Sequence, residues 1–301
     1  MRTIKIGSRA SELALTQAEI IIGMLKERFP QYQYEIIKIK TIGDKILDKT
    51  LSKIGGKGLF VKEIQTALLE EEIDLAVHSM KDMPAESPEE LILGAITKRE
   101  DPRDVLVIKD NRTLEELPQG ALIGTSSLRR KVQLLRLRQD LQLKDIRGNV
   151  GTRLKKIETE GLDAVILAAA GLKRLGYDEE TFYYLDIDNF TPAVGQGALG
   201  CEIRKNDKEL HRMLQEINDE ETYHCVMGER QFLKLLEGGC HVPIGAYGKK
   251  VEEELWITGM VASLDGQQVL RHTEKGEFHN FLEIGSRLAE EMMALGAKEL
   301  L

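Results

Sequence analysis

The feature that most constrains the fold is a repeated order of segments. The chain opens with 3-TIKIGSRASELALTQAEIIIGMLKERF-29 and then 34-YEIIKIKT-41. A later stretch runs 121-ALIGTSSLRRKVQLLRLR-138 and then 141-LQLKDIRG-148. Each copy has a short apolar run, Gly-Ser or Gly-Thr-Ser, an amphipathic stretch of helical period, and a second apolar run. Further on, 67-ALLEEEIDLAVHS-79 echoes 157-IETEGLDAVILAA-169, each a helix end, a turn and a buried strand. The first copy is longer, in part because it carries the loop 43-GDKILDKTLSKIGGKGLF-60. Strands alternating with helices in two related units predict two α/β domains.

Ligands of such domains bind beyond the carboxyl ends of the strands. Here those ends read Gly7-Ser8-Arg9-Ala10-Ser11, His78-Ser79-Met80-Lys81-Asp82, Thr125-Ser126-Ser127-Leu128-Arg129-Arg130 and Arg147-Gly148-Asn149. Several open a helix, where free N–H groups and the helix dipole favour anions. A Ser or Thr at such a place is also an ordinary N-cap. Four ends carrying Arg or Lys predict a cleft between two domains that holds carboxylates or phosphates, for which the planar Arg fork is suited.

Charge points the same way. The net charge is −8, yet residues 129–156 hold ten basic residues against Asp140 and Asp145, a net +8 that leaves −16 for the rest. A basic island in an acidic chain predicts an anionic ligand at one place. Arg136, Arg138, Lys155 and Lys156 are also read as a solvated helix face. Aromatic residues are 5% of the 301, too few for a platform that stacks single-stranded nucleic acid. No apolar run approaches the roughly 18 residues of a membrane span. The N-terminus has no apolar core of a secretion signal, and three cysteines without one predict a reducing cytoplasm.

A third part begins near residue 219. A helix over about 221–236 ends at Gly238-Gly239, three strand-like runs follow at 241–248, 253–263 and 267–274 with a turn at Asp265-Gly266, and a long helix spans about 277–298. This is expected to be a small α+β domain with a three-stranded antiparallel sheet. Three motifs mislead. Gly195-Gln196-Gly197-Ala198-Leu199-Gly200 fits a dinucleotide fingerprint but follows no clear strand and opens no helix. Gly55-Gly56-Lys57-Gly58 lacks the spacing of a phosphate loop. His224-Cys225 and Cys240-His241 are adjacent pairs without a C-x-x-C, and no metal is expected.

Cys240 lies in 235-LLEGGCHVPIG-245, after a helix C-terminus whose dipole disfavours a thiolate. A buried small hydrophobe is one reading. The two preceding glycines leave another reading open, in which something approaches closely, and for that a permanent attachment fits better than cycling chemistry.

Six motifs, 76-AVHSMKDMP-84, 124-GTSSLRR-130, 146-IRGNVGTR-153, 171-GLKRLG-176, 191-TPAVGQGALG-200 and 238-GGCHVPIG-245, together resemble the porphobilinogen deaminase (hydroxymethylbilane synthase) family, in order and over nearly the whole chain. His241 stands where Gln is more readily expected. The resemblance implies a dipyrromethane cofactor attached to Cys240 by a thioether. It implies that four porphobilinogen units are condensed with loss of ammonia and released as linear hydroxymethylbilane. It implies Asp82 as the catalytic carboxylate. Lys81, Ser79, Thr125, Ser127, Arg129 and Arg130 are implied for the cofactor. Arg9, Ser11, Arg147, Arg153, Arg174 and Gln196 are implied for substrate and the growing chain. The loop at 43–60, with Gly43, Gly55, Gly56 and Gly58, is read as a mobile cover in which Lys57 and Phe60 close over the site.

The implied fold has two domains like the halves of type II periplasmic binding proteins, 1–97 with 198–217 and 98–197, plus the α+β domain 218–301. The implied enzyme is a cytoplasmic monomer without nucleic-acid, membrane or metal partners. A binding module for an anionic solute, which needs neither Asp82 nor Cys240, is the alternative, and a nucleic-acid binder on the basic segment is a third.

Overall fold

The structure is a computed structural model that describes residues 2–41, 61–237 and 242–301. Strand β1 (Thr3–Arg9) leads into helix α1 (Glu12–Arg28) and strand β2 (Gln33–Ile39), which lies parallel to β1 with Ile6 opposite Ile36. Ser11 caps α1, its Oγ accepting the Ala14 N–H at 3.4 Å. The helix buries Ala18, Ile21, Ile22 and Leu25 and stops at Phe29, because a residue before proline is disfavoured in helical conformation. Helix α2 (Lys62–Leu69), strand β3 (Leu75–Ser79) and strand β4 (Leu91–Ile96) complete the contiguous part of this unit.

The second unit comprises β5 (Asp104–Ile108), β6 (Leu122–Gly124), α3 (Leu128–Leu137), β7 (Gln142–Lys144), α4 (Val150–Thr159), β8 (Ala164–Ala168), α5 (Ala169–Arg174) and β9 (Phe182–Tyr184). The chain then returns, and β10 (Leu199–Arg204) pairs antiparallel with β3 and β4. The sheets run β2-β1-β3-β10-β4 and β7-β6-β8-β5-β9. They share one topology. A strand and its parallel successor are flanked by a third parallel strand, then by an antiparallel strand that enters from the other unit's connection. The repeated segment order is therefore a repeated wiring. The glycines of the repeat are steric requirements: a Cβ on Gly7 would collide with Ile73, and one on Gly124 would lie 2.8 Å from both Ile146 and Leu162.

Helix α6 (Lys208–Gln215) packs Leu210, Met213 and Leu214 into the first core. The third part holds α7 (Glu220–Leu235), β11 (Ile244–Val251), β12 (Glu254–Ala262), β13 (Val269–Glu277), α8 (Phe281–Ala294) and α9 (Ala297–Leu300). Its sheet, β11-β12-β13, is antiparallel, as expected. The last helix is shorter than its pattern predicts. Glu277 still pairs with Glu254 in the sheet, and Gly296 at φ +91° interrupts the far end. The glycine-rich stretch at 195–200 is a turn that enters β10 and opens no helix. A side chain on Gly197, at φ +93°, would strike the Glu100 carbonyl.

One carboxylate joins all three parts. Glu229 of α7, with no solvent exposure, accepts from Arg99 Nη1 at 2.5 Å, Arg99 Nη2 at 3.2 Å, Gly195 N at 2.6 Å and Gly248 N at 2.8 Å. Arg99 and Gly195 lie on the two passages between the sheets, and Gly248 on β11. Removing one member of a buried pair leaves the other charge uncompensated. Glu229→Ala is expected to lower stability by about 3–5 kcal/mol, read as a lower urea midpoint. A midpoint equal to that of the parent protein would show that the joint contributes nothing.

Candidate functional site

Carboxyl ends of parallel strands from both sheets, β1, β3 and β8, face one cleft. From the first unit it is lined by Arg9, Ser11, Gln17, Ser79, Lys81 and Asp82, and from the second by Ala168, Ala170, Gly171 and Arg174. β1 delivers Arg9, and the N-cap of α1 delivers Ser11. β3 ends at Ser79, whose Oγ accepts from Gln17 Nε2 at 3.3 Å. The one-turn helix Met80–Asp82 then carries Lys81 and the exposed Asp82.

Across the cleft, the end of β6 turns into α3. Thr125 Oγ1 accepts the Ser127 N–H at 3.2 Å, and Ser127 Oγ caps the helix by accepting the Arg130 N–H at 3.4 Å. This turn carries Arg129 and Arg130 inward, 5% and 6% exposed, onto a carboxylate the sequence did not single out. Asp104, the first residue of β5, is fully buried between them. Its Oδ2 lies 2.8 Å from Arg129 Nη1, and its Oδ1 accepts from Arg130 Nη2 at 2.6 Å and Nε at 3.0 Å. Gln196 Nε2 also donates to Asp104 Oδ1, at 3.1 Å, and Lys81 Nζ donates to Gln196 Oε1 at 3.5 Å. Burial opposes ionisation of Asp104, but Arg129 and Arg130 outweigh it and hold the carboxyl well below its ordinary range. Arg129 further donates to the Thr191 carbonyl at 2.6 Å, and Arg130 to that of Ile166 at 3.1 Å.

The other cations differ. Among the described residues, Lys81, Arg147, Arg153 and Arg174 make no ion pair. Arg153 Nε donates to the Gly148 carbonyl at 2.8 Å and Arg174 Nη2 to that of Gly197 at 2.6 Å. Among the described residues, buried Arg147 Nη2 has no hydrogen-bond partner. Burial, then Arg130, lowers Lys81 to about 8 against the pull of Asp82. Burial, then Arg130, brings Arg153 to about 10, and burial brings Arg174 to about 10. Desolvated cations without counter-ions are unfavourable alone and are relieved by an anion. The residues present thus fit a ligand with several carboxylates.

Of the rest of the basic island, Arg136 and Lys155 are exposed and the others are paired at the surface. Lys131 pairs with Asp145 at 2.8 Å, and Lys144 and Lys156 pair with Glu160 at 2.9 and 2.8 Å. Arg138 is more than a solvated charge: it pairs with Asp140 at 2.5 Å and donates to the carbonyls of Leu114 and Leu117 at 2.8 and 3.0 Å. Lys57, Phe60 and Cys240 lie outside the described residues. Cys201 and Cys225 are buried, and burial pushes both thiols up to about 12. Asp104 and Gln17 were missed because an isolated Asp opening a strand, or a Gln on a helix, carries no local signal.

Two family models match the chain. One, described as porphobilinogen deaminase, dipyromethane cofactor binding domain, covers residues 4–212. The other, porphobilinogen deaminase, C-terminal domain, covers 223–294. The chain is 69% identical to a porphobilinogen deaminase of Alkaliphilus metalliredigens over 301 residues, covering 100% of this chain and 95% of that one. It is 53% identical to that of Bacillus subtilis over 303 residues, covering 100% and 96%. A solved amino-acid transporter binding protein of Bacillus subtilis aligns with 77% of the chain and 96% of its own at TM-score 0.41 and 16% identity, too low to argue from.

Two outcomes follow from these charges. Lys81 sits below its ordinary value, so it is protonated below about pH 8 and loses its charge above it. Binding of a polycarboxylate such as mellitate to cofactor-free protein is expected to weaken as pH rises through about 8. Lys81→Arg should remove that dependence, and a flat profile in the parent protein would contradict the assignment of Lys81. Asp104 has a depressed folded-state pKa, so its contribution to stability is present above the unfolded carboxyl value of about 4 and is lost as pH falls towards the folded value. In acid titrations of stability, Asp104→Asn should be less stable at neutral pH and show a shallower loss below about pH 4.

Proposed function

The chain belongs to the porphobilinogen deaminase family, and on that premise we propose that this cleft condenses four porphobilinogen units head to tail, losing ammonia at each step, and releases linear hydroxymethylbilane by hydrolysis. The family's enzymes are transferases of tetrapyrrole synthesis, and the segment matched at 4–212 is its dipyrromethane-binding part. The observation that carries the reading is the set Lys81, Arg147, Arg153 and Arg174. They are cations without ion-pair partners among the described residues: Lys81 and Arg174 line the cleft that also presents Asp82, and Arg153 lies within the field of Asp82 and Arg147. Each pyrrole of the product bears an acetate and a propionate, so the ligand is a polyanion of the kind this field favours. An anionic-solute binding module would share the cations but would give Asp82 and Cys240 no task.

In this reading Cys240 tethers the cofactor through a thioether. Lys81, Ser79, Thr125, Ser127, Arg129 and Arg130 hold the cofactor's carboxylates. Arg129 keeps Nε and Nη2 for this after its contacts to Asp104 and Thr191. When bound, the cofactor supplies the pyrrole terminus to which the first substrate unit is joined. Arg9, Ser11, Arg147, Arg153, Arg174 and Gln196 hold the side-chain carboxylates of substrate and growing chain.

Asp82 acts on the reacting carbon. Departure of ammonia leaves positive charge spread over the substrate pyrrole and its N–H. A fixed carboxylate beside that N–H stabilises the charge, and it carries the proton lost from the ring carbon after the new bond forms. The reading also takes 1–97 with 198–217, 98–197 and 218–301 as three domains of a cytoplasmic monomer. Among the described residues no helix is long and apolar enough to cross a membrane.

Whole-protein mass spectrometry combined with turnover tests the assignment. The parent protein should exceed its sequence mass by one dipyrromethane. Cys240→Ser should have the bare mass and make no bilane, whereas Cys201→Ser and Cys225→Ser should keep the adduct. Asp82→Ala should keep it too, with kcat lowered at least about 100-fold. An active, adduct-free Cys240→Ser protein would end the tether reading. Near-parental turnover in Asp82→Ala would end the carboxylate's role. Arg147→Leu and Arg153→Leu should each lower turnover about tenfold or more, since a charge-assisted hydrogen bond contributes about 1.5–3 kcal/mol.

A further inference from the structure

We propose that Glu220, His224 and His279 form a binding site for one divalent transition-metal ion of the zinc class, separate from the cleft. Glu220 and His224 stand four residues apart on α7 and therefore share a face. His279 lies in the turn between β13 and α8. One ligand atom of each residue lies within 4.8 Å of the other two. In a tetrahedral site with bonds of 2.0–2.1 Å, donors stand roughly 3.4 Å apart. Glu220 and His279 are exposed, so side-chain rotation closes that difference without moving the backbone.

His224 is the fixed member. Its ring stacks on Phe281 at 4.5 Å and 16°, meets Phe278 edge-on at 4.7 Å, and stands 5.2 Å from the ring of His279. The ring is only 9% exposed, and its Nδ1 is excluded from solvent with no hydrogen-bond partner. An Nδ1–H would need an acceptor, so the favoured tautomer carries its proton on Nε2 and leaves a lone pair on Nδ1. A buried imidazole lone pair with no donor beside it suits a metal ion. Glu220 and His279 make no side-chain hydrogen bond or ion pair to other described residues, and both are available as ligands.

Two imidazoles and one carboxylate are borderline donors. They suit zinc, cobalt or nickel over magnesium and calcium, which prefer oxygen throughout. Solvent reaches the site past the two exposed side chains and supplies the remaining ligand. The ion would pin the first turn of α7 to the β13–α8 turn. The segment leading to Cys240 leaves the opposite end of this 16-residue helix, about 24 Å away, so the ion's role is structural. No metal was expected from the sequence because adjacent Cys-His pairs were the visible candidates. This set draws on two elements distant in the chain.

The test uses the full-length, cofactor-loaded protein, stripped with EDTA and titrated with Co2+ and with Zn2+. The expected result is one equivalent of cobalt with visible d–d bands, displaced by zinc, and a melting temperature raised by at least about 2 °C with zinc in excess. His279→Ala and Glu220→Gln remove exposed side chains, so their metal-free melts should match the parent. His279→Ala should weaken zinc binding about 100-fold and Glu220→Gln about tenfold, both losing the melting shift. Absence of stoichiometric binding to the parent protein overturns the proposal. So does parental affinity in both variants, which would put the ion elsewhere.

Discussion

The cationic cleft is built on the ionised Asp104 carboxylate. Arg129 and Arg130 enter the interior together from the first turn of α3, and two guanidiniums side by side would be untenable there without a counter-charge. Burial works against the carboxylate, and the two arginines overcome it with short, charge-assisted contacts. The trio keeps one net positive charge. Lys81 and Arg153 are depressed first by their own burial and then by Arg130 of this trio. One buried anion thus holds two cations in place and lets the site stay positive where an acidic ligand would arrive.

The second dependence is mechanical. The two sheets have one wiring, and the chain passes between them twice. Arg99 lies on the outward passage and Gly195 on the return, and Glu229 binds both as well as Gly248 of the third sheet. The cleft takes its walls from both sheets, so its width depends on how these passages are held. Gln196 sits on the return passage and contacts both Asp104 and Lys81. The joint and the charged site are therefore held by adjacent residues, Gly195 and Gln196, on one stretch of chain.

Much of the cleft was legible because its parts are local. A strand, a Gly-Ser or Gly-Thr-Ser turn and a helix are encoded by neighbouring residues, so Ser11 and Ser127 could be placed at helix starts from their order alone. Lys81 and Asp82 follow from the end of β3 in the same way. The burial of Arg129 and Arg130 was not legible. Both were expected to face a ligand, and the structure engages each with Asp104 and a backbone carbonyl first. The length of the final helix was also overread, because the β12–β13 pairing claims Glu277 at one end and Gly296 breaks the other.

By itself the sequence determined the two α/β units, the antiparallel third part, the basic island and the family motifs. All of these rest on periodicity, turn chemistry and residue order along the chain. Only the tertiary structure decided which charges were compensated and which were left without a partner. Asp104, an isolated acid at the start of a strand, acquires its role because β5 lies beside β8 and opposite the first turn of α3. Glu229 and the Glu220, His224 and His279 set acquire theirs because α7 packs against elements far along the chain. Charge compensation falls off with distance through space. Sequence separation carries little information about that distance once the chain has returned between two sheets.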